Sequence, residues 1–344
     1  ESSSAEDSFT PSAFDATMKG ARFAMRRFHS LTISGVLGVV LFLFHGFLFP
    51  GLEAKTVRLL MIGNSFSMNT TQFLSNLAKA GGHEIQARVA YIPGGTLQQH
   101  WEKWQTWKAD EKNPKGKYSS GLTLHDYLTN AAWDVITFQQ GSASSHDSNT
   151  YFPYLENLYE VVKSEAPRAS LAIYESWAYR AEHKSYSNWG FGPGEMYLRL
   201  SNAYRLAAAR MKLPLIKTGD AFYLAENNPA WPRRLDPSWD SKTAVYPRLP
   251  NESGSLYAGW IWRVTNQSPR LTYDVQHAGV AGCFLASCVM YEYLLNESVL
   301  EVSYIPPASK DVNGNVYAAN AILTESDLKF LKSVAHQVGE LVAK

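Results

Sequence analysis

The stretch Val57-Arg58-Leu59-Leu60-Met61-Ile62-Gly63-Asn64-Ser65-Phe66-Ser67 decides how this chain folds. Its first half is almost unbroken apolar sequence, with no alternation of period two. A strand covered on both faces reads this way, as at the centre of a parallel sheet. Gly63 ends the run, a short polar turn follows, and Phe73, Leu74, Leu77 and Ala78 predict a helix over Thr70 to Ala80, stopped by Gly81-Gly82. The same grammar repeats outward. Strands are expected over Ile85 to Ile92, Trp133 to Phe138, Ser170 to Tyr174 and Leu213 to Lys217. Helices are expected over Leu97 to Trp107, Tyr151 to Glu165 and Met196 to Met211, with a charged surface loop over Lys108 to Gly121. Strand and helix alternate about five times, which predicts an α/β fold in three layers, α/β/α, around a five-stranded parallel sheet. Ligands of such sheets bind beyond the carboxyl ends of the strands.

The alternation breaks over Phe222 to Trp262, where five Pro and four Trp interrupt any period. We read an insertion at about 222–270 lying over the carboxyl edge of the sheet. Two helices close the chain, Gly279 to Leu295 and Glu325 to Val342, the latter with a capping-box start at Thr324 and Asp327. Cys283 and Cys288 share the first of these helices. Five residues apart, they sit ~7.5 Å along its axis and lean to different faces, so two free buried thiols are expected. Gly190 to Gly194 looks superficially like a phosphate loop, but it lacks the following Lys-Ser/Thr and reads as a turn.

Residues 1–54 stand apart. Residues 1–17 are Ser-rich and acidic and are compatible with an upstream extension. Lys19, Arg22, Arg26 and Arg27 then precede the apolar run Leu31 to Phe49. Basic, apolar, then small is the order of a secretory signal. The run is also long enough for an uncleaved membrane anchor, and a buried helix is a third reading. No Cys stands directly after it, which argues against a lipoprotein anchor. The expectation is a secreted or periplasmic protein, touching membrane only through this segment, with a single domain over 55–344. Lys+Arg 32 against Asp+Glu 31 leaves a net charge of +1, so no basic field exists to hold nucleic acid. A hydrophobic content of 45% excludes wholesale disorder.

The predicted strand ends deliver short polar blocks: Gly63-Asn64-Ser65-Phe66-Ser67, Gly94-Gly95-Thr96, Gln139-Gln140-Gly141-Ser142 and, late in the chain, Asp274-Val275-Gln276-His277. Alone, each has an ordinary explanation. Ser65 reads as a helix N-cap, the Gly pair as a turn, the Gln pair as a solvated edge, and Asp-x-x-His as a surface hydrogen bond. Together they fit one chemistry. A serine hydroxyl needs a base within reach, and that base needs a third group to fix its tautomer. Asp274 stands three residues before His277, so a tight turn could set its carboxylate on Nδ1 and leave Nε2 for Ser65. The N–H groups of Ser65 and Gly95 and the side-chain amide of Gln140 are candidate oxyanion donors.

This ordered set resembles the SGNH (GDSL-type) hydrolases, over roughly Val57 to Leu295. It is most similar to a bacterial branch with an Ile-Gly-Asn-Ser-Phe start, a Gly-Gly turn and a Gln-Gln pair. The resemblance implies the flavodoxin-like SGNH fold and ester hydrolysis through an acyl-enzyme, with Ser65, Asp274 and His277 as triad and no cofactor. Asn64 stands where the family usually has Asp, and Gln140 where it usually has Asn. The Gln-Gly pair is similar to that of sialate and xylan acetylesterases, where Gln fills the same role; the longer side chain leaves Gln139 and Gln140 as alternatives, with Gln140 favoured by its neighbour Gly141.

Fold class alone does not choose the ester. Export favours an extracellular polymer or its fragments, so a small-molecule or polysaccharide ester is the expected partner, with the oligomeric state open. Asn64, Gln139, Trp177 and Arg180 are candidate substrate contacts, and Trp231, Trp239, Trp260 and Trp262 could present flat rings to sugars, unless these aromatics simply pack the insertion. Arg180 would suit acidic sugars. The favoured activity is carbohydrate O-deacetylation; a short-chain lipid or aryl esterase, or a non-catalytic sugar-binding module, are the rivals. His100, His125, His146 and His183 are scattered and no His-Glu-x-x-His occurs, so no catalytic metal is expected.

Overall fold

In the computed structural model the described residues are 53–265, 268–307 and 322–340. The expected signal or anchor lies outside them, as do the last two residues, 341–342, of the helix expected over Glu325 to Val342. Among the described residues no helix is long and apolar enough to cross a membrane.

The apolar run becomes β1, Thr56–Gly63, with Leu59, Leu60, Met61 and Ile62 wholly buried. Each such side chain contributes ~1.5–3 kcal/mol relative to exposure. β1 pairs in parallel with β2 (Glu84–Tyr91) on one side and β3 (Val135–Phe138) on the other. β4 (Ser170–Tyr174) and β5 (Leu215–Ile216) continue the sheet, giving the order β2-β1-β3-β4-β5. This is the predicted five-stranded parallel sheet in the flavodoxin-like order.

The direction of strand addition reverses after β2. Right-handed crossovers therefore place α1 (Ser65–Thr71) and α2 (Leu74–Ala80) on one face, and α3 (Leu97–Ala109), α5 (Tyr154–Glu165) and α7 (Pro193–Met211) on the other. A short α4 (Leu124–Thr129) packs with α3 and α5, and α6 (Ser185–Trp189) precedes α7. α8 (Thr218–Glu226), α9 (Val280–Leu295) and α10 (Glu325–Glu340) complete the chain, and α9 packs on α1 and α2. Cys283 and Cys288 are free and buried on α9, as expected. The Thr324–Asp327 capping box is present, with Thr324 N–H donating to Asp327 Oδ2 (2.9 Å) and Asp327 N–H to Thr324 Oγ1 (3.2 Å).

Three expectations change. The helix read over Thr70 to Ala80 is two helices, and the first begins at Ser65 itself. The Asn64 side chain accepts from Phe66 N–H (3.0 Å) and starts a helix where a turn was expected. The Gly190-to-Gly194 turn is cut short, because Pro193 opens α7 at a position that needs no N–H. The supposed irregular insertion begins inside α8 and ends in an antiparallel hairpin, β6 (Tyr257–Thr265) with β7 (Ser268–Ala278). Its Pro- and Trp-rich connection hid the hairpin's period.

Candidate active site

Ser65 is the first residue of α1, directly past the end of β1. Gly63 lets Gln139 come close here, since a Cβ would lie 2.6 Å from Gln139 Oε1. His277 and Asp274 lie near the end of β7. Between the pairs Gly259↔Asp274 and Tyr257↔Ala278 the register shifts, so Asp274-Val275-Gln276-His277 forms a bulge rather than the tight turn expected. Gly259, opposite Asp274, has φ +66°, a left-handed conformation that favours glycine. Bulges of this kind re-aim side chains beside functional sites.

The bulge turns both side chains inward. Asp274 Oδ1 accepts from His277 N–H (3.0 Å) and Gln276 N–H (3.2 Å), while Oδ2 lies 2.8 Å from His277 Nδ1. His277 Nε2 lies 2.8 Å from Ser65 Oγ, across 212 residues of sequence. Burial pushes the Asp274 carboxyl up, but its hydrogen bonds and proximity to His277, with the two backbone donors, outweigh this and hold it at about 2. It is therefore an anion at neutral pH. The Ser65 hydroxyl thus faces a base oriented by a half-buried carboxylate.

The bulge is strapped from the opposite side by the segment after β4. Trp177 Nε1 donates to Gln276 O (3.0 Å), Arg180 N–H donates to Val275 O (2.9 Å), and His183 Nε2 meets Gln276 Oε1 (3.1 Å). Trp177 itself is fully buried in a stack between Phe66 (4.2 Å) and Phe222 (4.2 Å), and Phe66 in turn meets His277 edge-on at 5.9 Å. Trp177 is not a sugar platform; it ties the bulge to the core. Composition and spacing gave no sign of this role, because only burial reveals it.

Arg180 is likewise no substrate contact. It is 4% exposed, and its guanidinium bonds Glu182 (3.1 Å), Ser255 (3.2 Å) and Tyr273 Oη. Asn64 and Gln139 are also closed to substrate. Asn64 is wholly buried, donates through Nδ2 to Gly95 O (3.1 Å) and Gln140 O (3.4 Å), and accepts from Gln139 Nε2 (2.9 Å). It ties the ends of β1, β2 and β3 together. Gln139 Oε1 accepts from Ser67 Oγ and from Asn64 N–H (3.4 Å).

Two of the three expected oxyanion donors are engaged elsewhere. Gly95 N–H closes a turn onto Ile92 O (2.9 Å). Gln140 Nε2 gives its hydrogens to Thr150 O (2.8 Å) and Thr150 Oγ1 (3.1 Å), while Gln140 Oε1 accepts from Leu97 and Gly141 N–H. Gln140 is long enough to reach across to the loop before α5, and that is where its amide is used. The Ser65 N–H has no acceptor among the described residues.

The four scattered histidines do not converge. His100 is buried with Nε2 on Gly63 O (3.2 Å) and Nδ1 on the Tyr118 hydroxyl (2.9 Å); burial pushes its pKa down to about 3, so the neutral ring braces the carbonyl before the nucleophile loop. His125 pairs with Glu165 (2.8 Å). Among the described residues no cluster of His, Cys, Asp and Glu could hold a metal ion. Trp231 and Trp262 are buried at 7% and 6%, so the insertion packs them rather than presenting them. Trp239 and Trp260 are half-buried, and Trp260 lies against Tyr273.

Residues 58–213 match the model of a domain of unknown function, DUF4886. That stretch carries Ser65 but ends before Asp274 and His277. The chain is similar in structure to a DUF4886 family protein from Bacteroides uniformis, at 21% identity and TM-score 0.58, covering 82% of this chain and 94% of that one. More distantly, it is similar to a Slackia heliotrinireducens protein proposed to be an SGNH hydrolase (23% identity, TM-score 0.43, 69% of this chain and 98% of that one). A lipase/acylhydrolase from Enterococcus faecalis stands at 12% identity and TM-score 0.40, covering 70% and 96%. No curated protein matches the chain.

Proposed function

We propose that the protein is a serine esterase that hydrolyses carboxylic esters through an acyl-enzyme. One observation carries this reading: Ser65 Oγ, His277 Nε2, His277 Nδ1 and Asp274 Oδ2 form a continuous chain with both links at 2.8 Å. His277 takes the Ser65 proton as Oγ attacks the acyl carbon. Asp274 fixes the tautomer and stabilises the imidazolium. The Ser65 N–H is aimed by the start of α1 and serves the developing oxyanion. His277 then returns the proton to the leaving alcohol, the alcohol departs, and water clears the acyl group by the same steps in reverse.

A carbohydrate as the alcohol is supported by a second aromatic group, not the one first expected. The Trp189 ring lies near-parallel to Tyr179 (5.8 Å, 26°) and to Phe191 (5.4 Å, 20°). Trp189 and Phe191 are half-buried, so this group reaches solvent in part, while Tyr179 is buried beneath it and Arg199 lies 4.6 Å from the Phe191 ring centroid. Tyr179 meets Phe66 edge-on, which connects the group to His277. Sugars pack against aromatic side chains of this kind, and acetyl esters of sugars are the favoured substrates.

The test is hydrolysis of acetylated oligosaccharides beside 4-nitrophenyl esters of rising acyl length. We expect turnover of the acetyl compounds, lost in Ser65→Ala while the fold is kept. Preference for long acyl chains would remove the carbohydrate reading, and unchanged turnover in Ser65→Ala would remove the esterase.

A further inference from the structure

We infer that the alcohol part of the substrate carries an anionic group, held by Arg263 with Lys184 and Arg270 beside the triad. This rests on the esterase reading above and names the chemistry of its substrate. A cavity of about 440 Å³ opens on the His277 side of the site, lined among others by Lys184, Arg263, Thr272, Asp274, Gln276 and His277. In acyl transfer the imidazole hands its proton to the leaving oxygen, so the leaving alcohol lies over the His277 rim and extends into this space.

The charges around that space are unbalanced. Arg263 is half-exposed, and its one ion-pair contact among the described residues is a long 3.6 Å approach to Asp274 Oδ2, an oxygen already held by His277. Arg270 stands directly opposite Arg263 in the β6–β7 ladder and is exposed. Like charges in that relation repel. Lys184 is exposed on the far wall. Neither Lys184 nor Arg270 has an ion-pair partner among the described residues. The other acid of the cavity, Glu182, is satisfied elsewhere: it bonds Arg233 (2.6 Å), Arg180 (3.1 Å) and the Tyr273 hydroxyl (3.2 Å). Asp274 is committed to His277. A carboxylate or sulfate on the alcohol would answer the three cations and relieve the Arg263–Arg270 repulsion. Uronic and other acidic sugars fit this description, which Arg180, being buried, cannot serve.

The experiment compares 3-acetoxybenzoate with its neutral methyl ester; each consumes one water and yields acetate and a phenol. The readout is the ratio of kcat/KM for acid over methyl ester, which cancels general damage to the enzyme. We expect the acid to be preferred about tenfold at low salt. The ratio should fall toward unity in about 0.5 M NaCl. Arg263→Gln and Lys184→Gln should each lower it several-fold, with Arg263→Lys retaining part. A wild-type ratio at or below one, with Ser65-dependent turnover of the methyl ester, overturns the inference and leaves the esterase standing. A ratio unmoved in the triple Lys184→Gln/Arg263→Gln/Arg270→Gln variant also overturns it. If neither ester is turned over and Ser65 resists a fluorophosphonate, the esterase reading falls and takes this inference with it.

Discussion

Asn64 shows how closely the nucleophile block is specified. Its amide nitrogen donates to two carbonyls, Gly95 O and Gln140 O, while its oxygen caps α1 and accepts from Gln139. An aspartate would keep the cap and lose both donors, facing its charge against two carbonyl oxygens inside the protein. The residue resembling a departure from the SGNH pattern is thus the one this site requires. Asn64→Asp should destabilise the fold by about 1–3 kcal/mol or more, read as a lowered midpoint in urea, whereas Asn64→Ser, which keeps the cap without the charge, should lose less. Equal stability of Asn64→Asp and the parent would contradict the hub role.

The bulged hairpin is the element on which the site depends. It delivers Asp274 and His277, and the segment after β4 fixes it through Trp177 and Arg180. Trp177 acts as a positioning residue: it reaches Gln276 O but touches neither Ser65 nor the reacting atoms. Trp177→Phe should preserve the Phe66–Phe222 stack while losing the indole donor. We expect kcat to drop about tenfold with KM nearly unchanged, since geometry in the transition state is lost rather than ground-state binding. Trp177→Ala, in contrast, should cost ~3–5 kcal/mol of stability through the cavity it leaves. A Trp177→Phe enzyme with wild-type kcat would show that the bulge holds itself. This element also marks the limit of what the sequence discloses. Asp-x-x-His was legible as a pair because the two stand three positions apart, yet the bulge was not, since it depends on pairing with Gly259. The same holds for the oxyanion donors. Gly95 and Gln140 sit at the expected strand ends, but whether an amide hydrogen is spare depends on partners such as Ile92 O and Thr150, which only the folded chain brings near.

At the scale of the whole molecule, the parallel sheet was readable from buried strands and alternating helices, because both periods are written locally. Long-range polar burial was not. Glu175, past the end of β4, is wholly buried; Asp220 N–H donates to one of its oxygens (3.0 Å), and the other has no partner among the described residues. Burial and the neighbouring Asp220 carboxylate raise its pKa, so the fold favours its protonated form. The sign follows: a carboxyl raised on folding costs stability as pH climbs above its unfolded value of ~4.5. Glu175→Gln, which cannot ionise, should melt at a higher temperature than the parent at pH ~8 and show little difference near pH ~5. A parent no less stable than Glu175→Gln at the higher pH would show that Arg205, bonded to Asp220 at 2.7 Å, already neutralises the pair. The central claim remains the meeting of Ser65 and His277, and covalent trapping tests it most directly. Intact-mass and peptide analysis after treatment with a fluorophosphonate should show one adduct on the peptide containing Ser65, absent in Ser65→Ala and strongly slowed in His277→Ala. An unlabelled parent, or label on another residue at the same rate in all three proteins, would contradict it.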